Sequence, residues 1–361
     1  MNYERPNIQA MRGYTSGEQP DRADVIKLNT NENPYPPGPA VAKALADLRV
    51  DSLRRYPPPT ALPLRKGLAD LHKVSVDNLV VTNGGDELLR LLLATFVSLD
   101  EVIATAAPSY SLYEVLAAAH GCRMSNYPLN ADWSLPSDLA ARLNADKIKL
   151  CFIVNPHAPS GTLVPVETLD ALARDFKGVL VIDEAYVNFV EPAMHYNALP
   201  LIQSNDNVLI LRTFSKGYSL AGLRMAYGIG PKSLIDPMQY KTKDSYNTDF
   251  IAQALALAAI SDQPYAADTW ARVRLARSGL RESLMNFGFT APVSQSNFLL
   301  ATVPSGTALQ AERLYEGLKD AGVLVRYFKL SGLDDKLRIT VGTPEENQRL
   351  LRELKRLLQQ H

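Results

Sequence analysis

Val179-Leu180-Val181-Ile182-Asp183-Glu184-Ala185-Tyr186 reads as a buried strand that ends on a carboxylate. A short β-branched aliphatic run suits a strand of a largely parallel sheet. Asp183 then stands at the carboxyl end of the strand, where a charge has to be paired, hydrogen-bonded or neutralised. Similar short runs recur at Leu79 to Thr82, Glu101 to Ala104, Lys149 to Val154 and Val208 to Leu211. Between them lie helical patterns such as Asp86 to Phe96, Tyr110 to Ala119 and Val166 to Phe176, the last begun by Pro165 in its first turn. This alternation predicts an α/β domain with a mostly parallel central sheet. Prolines in Asn33 to Pro39 and in Tyr56 to Pro59 predict extended connectors.

After Ile260 the pattern changes to a long amphipathic stretch, Tyr265 to Phe287. Alternating segments follow near Asn297 to Val303 and Leu337 to Val341, and then a terminal helix ending in Leu357. We read residues 1–30 as an N-terminal arm that packs with the small domain or the partner subunit. Residues 31–260 form a large domain and 261–361 a smaller α+β domain.

Gross composition excludes several function classes. The 361 residues carry 38 basic and 38 acidic side chains, so no net charge draws the chain to nucleic acid or to an anionic membrane. The first ten residues lack the apolar core of a secretory signal. The apolar windows Leu88 to Leu99 and Ile251 to Ile260 fall short of the ~20 residues of a spanning helix, and Arg90 interrupts the first. Cys122 and Cys151 show no metal or redox spacing and are read as reduced, with Cys151 packed in the sheet. The expectation is a cytoplasmic protein. Five scattered histidines without HExxH offer no metal site. Neither Gly228-Ile229-Gly230 nor Asn83-Gly84-Gly85 has the spacing of a dinucleotide-binding loop.

In open parallel sheets, ligands bind beyond the carboxyl ends of the strands. The residues there form a coherent chemical set. Leu211-Arg212-Thr213-Phe214-Ser215-Lys216-Gly217-Tyr218 places a lysine between two hydroxyls, ahead of Arg224 in Ala221-Gly222-Leu223-Arg224. Hydroxyls and a guanidinium fork grip phosphate oxygens, while the amine can anchor an aldehyde. Asn83-Gly84-Gly85-Asp86-Glu87 opens a helix whose free N–H groups face an anion. Asn155 heads the rigid loop Asn155-Pro156-His157-Ala158-Pro159-Ser160-Gly161, and Asp183 can pair with a pyridinium N–H. Singly, each has an ordinary reading: a solvated lysine, a strand-to-helix turn, a loop asparagine, a capping or ion-paired aspartate, a half-buried Tyr186. One amine with one phosphate clamp suggests pyridoxal 5'-phosphate.

Taken in order, Asn-Pro-x-x-Pro-Ser-Gly, Asp-Glu-Ala-Tyr, Ser-Lys-Gly-Tyr and Ala-Gly-Leu-Arg resemble the fold-type I pyridoxal-phosphate-dependent aminotransferases. Within that superfamily the chain is similar to the histidinol-phosphate aminotransferases. The likeness rests on Lys27-Leu28-Asn29-Thr30-Asn31-Glu32-Asn33-Pro34, Arg55-Tyr56-Pro57, Asn83 to Glu87, Tyr246-Asn247 and Leu337-Arg338-Ile339-Thr340-Val341-Gly342-Thr343. It runs from about Tyr14 to the C-terminus.

The resemblance implies a three-layer transferase fold and an amino-group transfer, with an amino donor and a 2-oxo acid as partners. It casts Lys216 as Schiff-base lysine and proton carrier, Asp183 as partner of the pyridine nitrogen, and Asn155 with Tyr186 at the phenolic oxygen. Tyr110 stacks on the ring. Gly85, Asp86, Ser215, Arg224 and Thr213 hold the phosphate, joined by Tyr56 from the partner subunit of a homodimer. Arg338 grips the acidic end of the substrate, assisted by Arg326 and Tyr14. His157 stands where the family has an asparagine and is read as a loop residue. Tyr14 lacks the proline that usually follows it. Aromatic aminotransferases and a threonine-phosphate decarboxylase share the same anchor and clamp. A cofactor-sensing regulator would need an added DNA-binding segment.

Overall fold

The computed structural model describes residues 3–15, 17–19, 24–304 and 310–359. Its strands are β1 (Ile26–Lys27), β2 (Leu79–Thr82), β3 (Val102–Ala107), β4 (Arg123–Pro128), β5 (Ile148–Val154), β6 (Val179–Asp183), β7 (Val208–Thr213), β8 (Ala226–Ile229), β9 (Phe298–Thr302), β10 (Val323–Leu324), β11 (Arg326–Tyr327) and β12 (Lys336–Thr340). Seven of them form one sheet in the order β2-β8-β7-β6-β5-β3-β4. It is parallel except for β8, which runs antiparallel to both neighbours. The aliphatic runs of the sequence form β2, β3, β5, β6 and β7, with β2 at one edge of the sheet and the others inside it. β4, at the other edge, escaped that reading because its Arg-Met-Ser-Asn-Tyr-Pro is mostly exposed or half-buried.

Strand parity sorts the central side chains onto two faces. Val179 and Val181 of β6 enter one apolar cluster, whereas Leu180 and Ile182 enter the other. Asp183 continues the first face, toward Phe152 and Tyr113, and Glu184 continues the second, toward Arg212. Both free cysteines are buried.

The first face is continuous with a second, smaller unit, since Leu280, Phe298, Leu314, Ile339 and Leu350 belong to the same cluster. There β11-β12-β9 form an antiparallel sheet in which Arg338 lies between Arg326 and Leu300. The helices Gln263–Asn286, Ala311–Asp320 and Pro344–Gln359 accompany it, and β1 joins β10 as a parallel pair, Ile26 beside Val323. No helix of the described residues is long and apolar enough to cross a membrane.

Arg277 fastens the long helix across the junction. Its buried guanidinium donates to the carbonyls of Phe189 and Ser296 at 2.9 and 2.8 Å and to Glu191 at 2.6 Å. An Arg277→Leu variant leaves two buried carbonyls unpaired, so the unfolding free energy measured by urea titration should fall by about 2–4 kcal/mol.

Candidate active site

The strand ends converge as open-sheet geometry requires. Asp183 lies level with Val154 and Leu211 in the ladder, and the Asn155 N–H donates to the Asp183 carbonyl at 2.8 Å. Beyond β7, Phe214 is fully buried and fixes the turn, while Lys216 reaches across to donate from Nζ to the Thr30 carbonyl at 2.7 Å. Gly217 must stay small, because a Cβ there would lie 2.4 Å from Asn188 Oδ1. Burial lowers the Lys216 pKa to about 8, reinforced by the charges of Arg338 and Arg224 and opposed by Glu32. Glu32 itself is tied to Lys27 at 2.6 Å and to the Thr30 hydroxyl at 2.9 Å.

Asp183 accepts from the Tyr113 hydroxyl at 2.8 Å and from the Ala185 N–H at 3.1 Å. Burial raises its pKa to about 6, an effect the Tyr113 bond opposes. Tyr113 was not foreseen: in sequence it is one more aromatic on a helix face, and it stacks on Phe152 at 4.4 Å as a core residue would. Tyr110 meets Tyr113 and Tyr14 edge-on, at 5.6 and 5.8 Å between centroids.

A cradle for an anion lies beside the lysine. The helix Gly84–Phe96 starts as β2 ends, with Gly85 and Asp86 in its first turn, where the N–H groups have no intrahelical acceptor. Arg224 holds a left-handed backbone, φ 54°, and donates to Ser215 Oγ at 3.3 Å, with Asp86 Oδ2 at 3.6 Å. Gly84, at φ 77°, adopts a backbone that other residues rarely take, and a Cβ there would displace the Arg224 guanidinium, 2.7 Å away. Thr213 takes a supporting place: its buried hydroxyl is engaged by Ser215 Oγ and by the Met225 carbonyl. Hydroxyl, guanidinium and free amides together fit a phosphate, and the amine of depressed basicity fits an aldehyde.

Asn155 departs from the expected arrangement. Its Nδ2 donates to the Val164 carbonyl and to the Tyr196 hydroxyl, both at 3.0 Å, and its Oδ1 accepts from the Val164 N–H at 2.8 Å. Both amide N–H groups are thus spent away from Tyr186. A buried chain continues from there: Tyr196 donates to Glu184 at 2.8 Å, and Glu184 accepts from Arg212 at 2.7 Å. Arg212 lies 3.3 Å from His72, which burial holds neutral with a pKa of about 3. His157 is also buried, bridging Ser160 and the Pro108 carbonyl, and its pKa falls to about 4. It braces the loop that carries Tyr110.

Tyr186 receives a 3.0 Å bond from Asn31. Phe298 packs edge-on against it at 5.0 Å and also lies under the Arg338 guanidinium at 5.3 Å. Phe328 flanks Arg338 and Arg326 at 5.5 and 5.6 Å. Arg338 donates to the Asn29 carbonyl at 2.9 Å, and its Nε is buried without a partner. A desolvated guanidinium with a free donor edge is a receptor for a carboxylate or phosphate. Tyr56 lies elsewhere on the chain, 80% exposed and stacked on Tyr246 at 4.3 Å. Among the described residues no His, Cys, Asp and Glu cluster could hold a metal ion.

Residues 23–354 match the model of the family described as aminotransferase class I and II. Histidinol-phosphate aminotransferase 1 of Trichormus variabilis is 44% identical over 99% of both chains. The chain belongs to the histidinol-phosphate aminotransferase family. A crystal structure of histidinol-phosphate aminotransferase from Sinorhizobium meliloti, in complex with pyridoxal-5'-phosphate, superimposes on this family member with a TM-score of 0.92 at 24% identity, covering 100% of this chain and 98% of that one. L-threonine-O-3-phosphate decarboxylase from Porphyromonas gingivalis shares the fold at a TM-score of 0.78 and 22% identity, over 93% of this chain and all of the other. The fold by itself thus spans more than one reaction.

The depressed Lys216 pKa makes a kinetic prediction for this aminotransferase. Only the neutral amine attacks an aldehyde. The rate at which the cofactor-free protein captures pyridoxal phosphate, followed by absorbance, should climb with pH and level off near 8. An ordinary lysine would carry that rise to about 10.4.

Proposed function

We propose that the chain is a pyridoxal 5'-phosphate-dependent aminotransferase that moves the amino group of L-histidinol phosphate to 2-oxoglutarate, giving imidazole acetol phosphate and L-glutamate in histidine biosynthesis. The observation that carries this reading is the pairing, in one pocket, of a weakly basic lysine with an arginine that has a free donor edge. Similarity to named histidinol-phosphate aminotransferases along the whole chain supplies the substrate.

When bound, the cofactor supplies an aldehyde that takes up the amino group and a protonated ring that accepts electrons. The chain's residues do the rest. Lys216 anchors the aldehyde and, once released, its Nζ moves a proton to and from the substrate α-carbon. Asp183, held by Tyr113, would pair with the ring nitrogen and keep it protonated. Tyr186 would hold the phenolic oxygen, and Tyr110 would cover the ring. Ser215, Arg224 and the amides of Gly85 and Asp86 grip the phosphate. Arg338, aided by Arg326 and Tyr14, takes the substrate's phosphate in one half-reaction and a carboxylate in the other, a change of partner that a planar guanidinium permits.

The exposed Tyr56–Tyr246 stack fits a homodimer in which Tyr56 completes the phosphate site of the partner. The pairing of β1 with β10 fits an arm over residues 1–30 that packs with a small domain over 261–361, beside a large domain over 31–260. A biosynthetic role of this kind also fits a cytoplasmic location.

Turnover with histidinol phosphate should exceed that with phenylalanine by at least about tenfold in kcat/KM, and equal values would overturn the substrate assignment. Lys216→Ala should lose about a thousandfold or more in kcat. Arg338→Lys, which keeps the charge but loses the fork, should raise KM for histidinol phosphate and for 2-oxoglutarate together, each roughly tenfold.

A further inference from the structure

Three consecutive residues of one segment touch three different parts of the site. The Asn29 carbonyl accepts from Arg338, the Thr30 carbonyl accepts from Lys216, and the Asn31 amide donates to Tyr186. Asn31 is held unusually firmly. It is 1% exposed, and its left-handed backbone, φ 56°, is one that asparagine and glycine tolerate best. Its N–H donates to Thr340 Oγ1 at 3.0 Å, that hydroxyl donates back to Asn31 Oδ1 at 3.1 Å, and Asn297 donates to its carbonyl at 2.9 Å. Thr340 lies on β12, two residues from Arg338.

From this geometry we infer that Asn31 is the positioning residue for Tyr186. Thr340 fixes the amide oxygen, so the nitrogen is the edge presented to Tyr186. The tyrosine oxygen then accepts, and its own proton has to point elsewhere, into the pocket. A hydroxyl that accepts one hydrogen bond is a stronger donor of the next. Asn155, with both amide N–H groups engaged by Val164 and Tyr196, has none to add. Tyr186 therefore serves the phenolic oxygen of the cofactor alone, and Asn31 sets both its direction and its donor strength. Because Asn31 is anchored to β12, the same strand that presents Arg338 sets the aim of Tyr186.

The inference rests on the cofactor assignment above, and its test separates the two. In the cofactor-loaded protein, a donor to the phenolic oxygen competes for the proton shared between that oxygen and Lys216 Nζ. A weaker donor leaves this proton in place to higher pH. Asn31→Gly keeps the backbone conformation and removes the amide. Titration of the visible absorption band should show its midpoint raised by about one unit, the worth of one hydrogen bond. Tyr186→Phe should raise it at least as far, and Asn31→Gly should add nothing in the Tyr186→Phe background. Thr340→Val, which frees the amide to rotate, should shift the midpoint the same way by a smaller amount, and it decides the matter if Asn31→Gly does not take up cofactor. A midpoint unchanged in Asn31→Gly, or an equal shift without the Tyr186 hydroxyl, overturns the role of Asn31. A wild-type protein that gains no visible band with pyridoxal phosphate overturns the cofactor assignment instead.

Discussion

Two cationic side chains share one desolvated pocket, and most of the site follows from how that cost is met. Lys216 and Arg338 each have a backbone carbonyl as their hydrogen-bond acceptor, from Thr30 and Asn29. Carbonyl oxygens satisfy N–H groups without neutralising charge, and Glu32 offsets only part of it, being itself paired with Lys27. The system relaxes by making the lysine a weaker base, since the guanidinium cannot give up its proton. One residue thereby becomes a nucleophile near neutral pH, and the other keeps an unmet demand for an anion.

The carboxylates are arranged by the same logic with the opposite sign. Asp183 and Glu184 are adjacent, yet strand parity sends them to opposite faces of the sheet. Glu184 is matched by Arg212 and has no chemistry left to offer. Asp183 has only a tyrosine hydroxyl and an amide, so burial raises its pKa and it remains able to take a ring N–H. A one-residue slip of β6 would exchange their surroundings.

Strands β2, β3, β5, β6 and β7 were legible because aliphatic runs bounded by turns have few alternatives, and Leu79 to Thr82 forms the strand its pattern predicts. β4 was not, because most of its side chains stay exposed or half-buried and its sequence carries no aliphatic run. Arg224, Ser215, Lys216 and Asp183 were legible because their chemistry is unusual at strand ends. Tyr113 and Phe298 look like core aromatics in sequence, and only the fold shows that one holds Asp183 and the other underlies Arg338. Asn155 shows the reverse limit. Sequence locates it beside the site, but the direction of an amide depends on Val164 and Tyr196, which lie 9 and 41 residues further on.

The parallel pairing of Ile26 with Val323 joins two segments far apart in the sequence in one small ladder. During synthesis from the N-terminus, β10 and β12 emerge long after the interior strands of the large sheet are available to pair. Until then the segment carrying Asn29, Thr30 and Asn31 lacks the anchors supplied by Asn297, Leu324 and Thr340. The pocket shared by Lys216 and Arg338 is thus assembled only after β12 has been made, and a nascent polypeptide short of β12 carries the lysine without the arginine that weakens it as a base.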